Sequence, residues 1–137
     1  MNQPLKVLSI IDIPWNSGLA YYAFEQAKAL RDGGHIVTFA CPEGSAAMRF
    51  AEAEGFARAA IPGRKQHFRF PGAVASLARL VRADGTDFIC AHTGLSQTFA
   101  WLLKLSVPSL AIVRVKADAK PPSTGFTFRS VARVISA

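Results

Sequence analysis

Three short segments of the sequence carry polar and charged residues that could together bind an anion. Ser17 and Gly18 follow the first apolar stretch and precede a helix-like pattern, and His92 ends a later apolar stretch. Arg114 and Lys116 lie at the end of another. A helix N-terminus carries N–H groups without partners and a partial positive charge, and nearby cations would add to its attraction for an anion. These residue types predict a pocket suited to a phosphate or a carboxylate.

An alternation of apolar strand-like stretches and helical patterns must position these segments. The predicted strands are 5–11, 36–41, 56–61, 87–91, 109–115 and 133–136, and the predicted helices are 18–32, 46–54, 73–84, 95–105 and 126–132. Continuous apolar strands separated by helices favour a parallel sheet that is covered on both faces. The sequence therefore predicts an α/β fold, a doubly wound Rossmann-like parallel sheet of about six strands with helices on both faces.

The fold class also predicts where the three segments lie. In such sheets ligands bind beyond the carboxyl ends of the strands, at the point where the strand order reverses. We expect a central first strand, with the turn 12–18 beside His92 and the end of the fifth strand nearby. The three segments would then form one site.

Length and composition indicate one globular domain, residues 1–137, with 50% hydrophobic and 18% charged residues. The net charge of +7 suits an anionic membrane surface, a phosphorylated substrate or an acidic partner domain. Charge is the only argument for nucleic acid, and we expect no nucleic-acid partner. No apolar run approaches the roughly 18 residues that span a bilayer, and the first residues lack a signal-peptide pattern. We therefore expect a cytoplasmic protein.

A basic and aromatic loop at 62–72 is a second candidate contact surface. Arg64, Lys65 and Arg69 lie there close to Phe68 and Phe70. Cations interleaved with aromatic rings suit contact with an anionic membrane interface. The loop therefore predicts a membrane or acceptor contact, and a solvated loop whose phenylalanines pack back onto the sheet is the alternative.

Several site classes have no motif in the sequence. The turn after the first strand lacks the G-x-G-x-x-G pattern of dinucleotide-binding domains, and no P-loop pattern occurs. Cys41 and Cys90 end apolar stretches and are predicted to be reduced core residues. No D-x-D pattern or cluster of metal-ligating residues occurs. We expect neither a metal site nor a bound cofactor.

Four stretches of the sequence resemble the amino-terminal domain of GT-B glycosyltransferases of the retaining family 4 type. They are RDGGHIVT at 31–38, CPEGS at 41–45, TDFICAH at 86–92 and RVIS at 133–136. They occur in the order and at the spacing of that family, and the resemblance extends over nearly the whole chain.

The resemblance implies an enzyme that moves a sugar from a nucleotide-sugar co-substrate to a cell-envelope glycan or a lipid-linked acceptor. This chain would be the acceptor-side domain, without the carboxy-terminal donor-binding domain, and inactive alone. Ser17 and Gly18 match the loop that approaches the donor phosphates, where the family commonly has two glycines. His92 matches a histidine near the transferred sugar and is the catalytic candidate. Arg114 matches a position that often carries a cation.

Two other functions stay open at this point. One is a non-catalytic module that binds anions or a membrane surface, for which the charge and the loop at 62–72 are the evidence. The other is a part of a nucleotide-sugar epimerase of the same architecture. An enzyme that uses a lipid-linked acceptor would also contact the membrane, as a peripheral protein on its inner face.

Overall fold

The computed structural model describes residues 3–15, 17–63, 69–116 and 133–136. The elements in chain order are β1 (Lys6–Ile10), α1 (Gly18–Asp32), β2 (Ile36–Cys41), α2 (Ala46–Glu54), β3 (Ala57–Ala60), α3 (Phe70–Asp84), β4 (Phe88–Ala91), α4 (Gly94–Ser106), β5 (Ala111–Lys116) and β6 (Arg133–Ser136). These bounds agree closely with the predicted strands and with four of the predicted helices. The predicted helix at 126–132 lies outside the described residues.

The six strands form one parallel sheet in the order β3-β2-β1-β4-β5-β6. β1 is an inner strand, with β2 on one side and β4 on the other; Ile10 pairs with Ala40 and with Ala91. The strand order therefore reverses between β1 and β4. Both the predicted doubly wound parallel sheet and the predicted central position of the first strand are confirmed.

Hydrophobic side chains on the two faces of the sheet form two separate cores. Val7 and Ile11 belong to the core that includes residues of α1 and α2. Leu8 and Ile10 belong to the core that includes residues of α3 and α4. This alternation follows from the two-residue period of a strand. Helices therefore cover both faces, and the ends of the strands are left as the place for a site.

Local sequence signals explain where the helices begin. The side chains of Ser17, Ser45 and Thr93 each accept a backbone N–H from the first turn of α1, α2 and α4, at 3.2, 3.1 and 2.9 Å. α3 begins at Phe70 rather than at the predicted residue 73. The reason is Pro71, which lies in the first turn, where its fixed φ fits the helix and its missing N–H is not needed.

Four phenylalanines form the centre of the core between α1, α2 and the sheet. Phe39, which is fully buried, lies 5.5 to 6.5 Å from the rings of Phe24, Phe50 and Phe56. Phe24 and Phe50 stack at 4.1 Å. The guanidinium group of Arg31 lies 4.6 Å from the ring centre of Phe56 and covers the cluster from outside. The cluster therefore joins β2 to both helices.

We expect Phe39→Ala to lower the free energy of unfolding by about 3–5 kcal/mol, because it leaves a cavity in a packed aromatic cluster. Tyr21→Ala is the matched control, because Tyr21 is 63% exposed on α1 and its loss should change stability by no more than about 0.5 kcal/mol. Urea denaturation followed by circular dichroism measures both. Equal losses in the two variants would contradict the described packing.

Candidate functional site

The candidate site lies where β1 and β4 end side by side. The backbone N–H of His92, the residue after β4, points to the carbonyl oxygen of Ile10 at 3.4 Å. Asp12 follows β1 and contacts Thr93, the residue after His92. The predicted placement of the turn after the first strand beside His92 is therefore confirmed. The first turns of α1 and α4 both begin at this edge of the sheet.

Asp12 is a buried carboxylate, only 2% exposed, that connects the segment after β1 to the start of α4. Its Oδ1 accepts a short hydrogen bond from the Thr93 hydroxyl, and the Ser96 hydroxyl lies 3.3 Å away. Thr93 Oγ1 also accepts the backbone N–H of Ser96. A negative charge is favourable at a helix N-terminus. The carboxylate therefore holds together two segments that are 81 residues apart in the sequence.

His92 is buried to the same degree, with 1% of its surface exposed. Its Nε2 lies 2.9 Å from Ser9 Oγ, and its buried Nδ1 has no hydrogen-bond partner among the described residues. Burial, and next the positive charge of Arg114, lower the pKa of His92 to about 4. The imidazole is therefore neutral at pH 7. It can donate or accept a hydrogen bond there, but it carries no charge.

The other predicted site residues lie at this edge as far as they are described. Ser17 is half-buried and caps α1, and Gly18 is the exposed first residue of that helix. Arg114 pairs with Ala91 across β4 and β5 and is half-buried. Lys116 ends β5, and its side chain lies outside the described part. The structure thus brings the start of α1, His92 and Arg114 to one edge, while a ligand-binding role for each stays a prediction.

The residues predicted to contact a membrane or acceptor lie elsewhere. Arg64 and Lys65 fall outside the described residues, so their contact stays a prediction. Arg69 is exposed and lies directly before α3. It lines a cavity of about 520 Å³ at the carboxyl ends of β1, β2 and β3. The other lining residues are Pro14, Pro42, Glu43, Ala60, Ile61, Pro62, Gly63 and Ala73.

The sequence placed Asp12 in the turn 12–18 of the site without a role for its side chain, and it did not point to Ser9 or Ser96. A signal was nevertheless present, because Ser9 interrupts an apolar strand between Leu8 and Ile10, and Asp12 directly follows Ile11. A polar residue inside an apolar run has to find a partner once it is buried. That partner could not be identified from the sequence, because both are more than 80 residues away.

The remaining polar and thiol groups give no sign of a bound metal ion within the described ranges. No group of three His, Cys, Asp or Glu side chains there could hold one. Cys41 and Cys90 are buried and free, and burial raises the pKa values of their thiols to about 11 and about 12. Their predicted place in the core as reduced residues is confirmed.

No helix in the described ranges is both long and apolar enough to cross a membrane.

We expect the stability of the domain to fall as the pH is lowered from about 6.5 towards 4. The pKa of His92 is lower in the folded chain than the roughly 6.5 of an unfolded one, so the unfolded chain binds more protons in this range. One such proton gives a slope of at most about 1.4 kcal/mol per pH unit. Urea denaturation at several pH values should show a weaker dependence in His92→Gln.

The control for this pH dependence is His35→Gln, which removes a histidine at the opposite edge of the sheet, where its Nδ1 accepts the N–H of Leu5. This variant should keep the contribution of His92. An NMR titration of the imidazole in the wild-type chain gives the pKa of His92 directly. A midpoint near 6.5 would contradict the buried position described above.

Asp12→Ala should lower the free energy of unfolding by about 1–3 kcal/mol, because the buried hydroxyls of Thr93 and Ser96 lie 2.8 Å apart and, once one donates to the other, the second loses its acceptor. Asp12→Asn keeps an oxygen acceptor, so its loss should be smaller. Asp32→Ala removes an exposed carboxylate at the end of α1 and should stay within about 0.5 kcal/mol of the wild type. Thermal and urea unfolding compare the three variants, and equal stability of D12A and D32A would refute the anchoring role.

Comparison with known proteins agrees with the fold. The family profile described as "Glycosyl transferase 4-like domain" matches residues 17–136. Solved structures with the same fold include MurG of Acinetobacter baumannii (TM-score 0.76, 16% identity) and a glycosyltransferase of Rickettsia africae (TM-score 0.74, 12% identity). An α-glucosyltransferase in complex with UDP and DNA is also similar (TM-score 0.62, 13% identity).

Each alignment covers 98% of this chain, which spans only 41%, 37% and 38% of the respective solved chains. No curated protein sequence matches the chain. The likeness to the three structures shows a shared GT-B fold, and the family match extends over most of the sequence. The chain therefore belongs to the glycosyl transferase 4-like domain family and has the fold of an amino-terminal GT-B domain.

Proposed function

We propose that this chain is the acceptor-side domain of a glycosyltransferase that transfers a sugar from a nucleotide-sugar to a cell-envelope glycan or a lipid-linked acceptor. The observation that carries the proposal is the start of α1, which lies at the reversal of strand order beside His92 and Arg114. The family of the chain supports the reaction class.

The first turn of α1 suits the phosphates of the donor. Ser17 satisfies the N–H of Ala20, while the N–H groups of Gly18 and Leu19 have no partner within the helix. Sugar transfer leaves a nucleoside diphosphate with developing negative charge. N–H groups and a cation that are already in place stabilise such charge without reorganisation. We therefore assign Ser17, Gly18, Arg114 and Lys116 to the donor phosphates and the acceptor.

His92 is the proposed catalytic residue, placed near the transferred sugar. Because its pKa is low, it would act as a neutral hydrogen-bonding group rather than as a cation. Ser9 occupies Nε2, so Nδ1 is the atom left for a sugar hydroxyl. The 1% exposure of the imidazole means that neighbouring side chains must move before a sugar can reach it.

The proposal includes parts that lie outside this chain. A carboxy-terminal domain would supply most of the contacts to the nucleotide, so the 137 residues should bind nucleotide-sugars weakly and should not transfer sugar alone. The protein would act in the cytoplasm, in peripheral contact with the inner face of the membrane through Arg64, Lys65 and Arg69. It would need the nucleotide-sugar as co-substrate but no bound cofactor, metal ion or nucleic acid.

Amide chemical shifts of the ¹⁵N-labelled 137-residue chain during a UDP titration test the phosphate site. We expect weak binding, with shifts at Gly18 and Leu19, and we expect Gly18→Ala to weaken it. No atom lies within 4 Å of a Cβ at Gly18, so the chain accepts the methyl group, but that group would stand where a phosphate approaches. Gly72→Ala is the matched control, because it makes the same change in the first turn of α3, also in open space.

Two results would contradict the proposal. The first is equal UDP affinity in G18A and G72A, or UDP-induced shifts confined to other parts of the chain. The second is micromolar affinity of the wild-type chain for a nucleotide-sugar, because the missing domain would then not be needed for donor binding. Binding to anionic vesicles with no response to UDP would instead favour the non-catalytic surface-binding module.

A further inference from the structure

We propose that Ser9 is a positioning residue that decides which hydrogen bond His92 offers to a ligand. Its hydroxyl donates to Nε2 of the imidazole, so the ring proton stays on Nδ1 and can be donated to an oxygen atom of the ligand. Ser9 Oγ lies 2.9 Å from Nε2, and both side chains are buried, with 3% and 1% of their surface exposed. The ligand part of the inference rests on the proposed function, whereas the position of the ring proton does not.

The sequence of β1 places the Ser9 side chain on the face of the sheet that α1 covers. Side chains of a strand alternate between the two faces, and Val7 and Ile11, two residues to either side, belong to the core under α1 and α2. Cys90 pairs with Ser9 across β1 and β4 and belongs to the same core. His92 follows two residues later. The serine and the histidine therefore meet on one face of the sheet, where apolar side chains surround them.

A neutral imidazole carries one proton, either on Nδ1 or on Nε2. His92 is in this state at neutral pH, because burial and next the charge of Arg114 lower its pKa to about 4. The nitrogen with the proton donates a hydrogen bond, and the other nitrogen accepts one. The bond to Ser9 can therefore run in either direction, and its direction fixes the position of the ring proton.

The direction follows from the strengths of the two hydrogen bonds. A bare imidazole nitrogen is a stronger acceptor than a hydroxyl oxygen, because nitrogen holds its lone pair less tightly. A serine hydroxyl also rotates to point its proton at an acceptor. Within the described residues, Ser9 Oγ has no hydrogen-bond partner besides His92, so no second acceptor there competes for the hydroxyl proton. Ser9 is therefore the donor, and the ring proton lies on Nδ1.

The proton on Nδ1 determines what kind of ligand atom His92 can bind. Nδ1 is buried and has no hydrogen-bond partner in the described part of the chain. A buried N–H group without an acceptor is rare and costly. A phosphate oxygen or the oxygen of a sugar hydroxyl can accept its hydrogen bond. By holding the proton on Nδ1, Ser9 makes His92 a donor to the ligand and prevents this atom from taking up a ligand proton.

Long-range ¹H–¹⁵N spectra of the 137-residue chain at neutral pH test the position of the proton without any ligand. Protonated and bare ring nitrogens have well-separated ¹⁵N shifts, and His92→Gln identifies the signals. We expect the proton on Nδ1 in the wild type and in Ser9→Thr, which keeps the hydroxyl. In Ser9→Ala, part of the population should move to the Nε2 tautomer, which a free histidine side chain prefers in water.

The matched control is Ser45→Ala. It removes another fully buried hydroxyl, which accepts the N–H of Met48 at the start of α2. This variant should leave the proton of His92 on Nδ1, as in the wild type. A loss of packing or of one buried hydrogen bond would affect both variants, whereas a change of tautomer should occur only in S9A.

Titrations with UDP and UDP-glucose identify the ligand oxygen. A change of the Nδ1 proton resonance with UDP indicates a phosphate oxygen, and a change with UDP-glucose alone indicates a sugar oxygen. S9A should bind the probe that causes the change more weakly. The loss of affinity should equal the factor by which the population of the Nδ1 tautomer falls, because only that tautomer can donate the bond.

The outcomes separate this inference from the proposed function. A wild-type proton on Nε2, or equal tautomer populations in S9A and S45A, would overturn the inference even if UDP shifts Gly18. Shifts at Gly18 with an unmoved Nδ1 proton would overturn the donation to a ligand and leave the proposed phosphate site in place. If the proton lies on Nδ1 and neither probe shifts Gly18 or His92, the donation fails together with the proposed function, whereas the placement of the proton by Ser9 stands.

Discussion

The buried carboxylate of Asp12 is the interaction on which the rest of the candidate site depends. A carboxylate that is 2% exposed is costly to bury unless hydrogen bonds satisfy it. Thr93, the N-cap of α4, and Ser96, in its first turn, supply those bonds. The segment after β1 is therefore fixed on the end of β4. Ser17 caps α1 only five residues further on, so this contact helps to position the N-terminus of that helix.

The electrostatics of the site come from fixed groups rather than from a protonated histidine. Burial and Arg114 both lower the pKa of His92, so the positive charge beside the imidazole belongs to the arginine and to the helix N-termini. An arginine keeps its charge at any physiological pH. A site of this kind attracts anions without depending on pH near neutrality, whereas an imidazolium would lose its charge in that range. The hydrogen bond between Ser9 Oγ and His92 Nε2 leaves the imidazole as an oriented neutral group.

The sequence was sufficient to predict the fold and the edge of the sheet that carries the site. Apolar runs identified the strands, and both ends of α2 follow from local chemistry that needs no distant partner: Ser45 caps its start and Gly55, in the left-handed region, ends it. The predicted start of α3 lies three residues late, because the sequence pattern assigns Pro71 to the loop at 62–72. The buried, anchoring role of the Asp12 side chain was not predictable, because a pattern of residue types cannot tell a solvated carboxylate in a turn from a buried one. That difference depends on Thr93, and only the pairing of β1 with β4 brings the two together.

One short segment, the residues directly after β1, is held from two sides. Asp12 anchors it to α4 on the His92 side, and two residues later the carbonyl oxygen of Pro14 accepts the N–H of Ala46 on the side of the cavity. With a bond on each side, the segment cannot shift without breaking one of them. The start of α1, where the donor phosphates are proposed to bind, would thus be held by rigid backbone. Transfer between two bound molecules needs this kind of fixed relative geometry, since small misplacements of reacting groups are costly in rate.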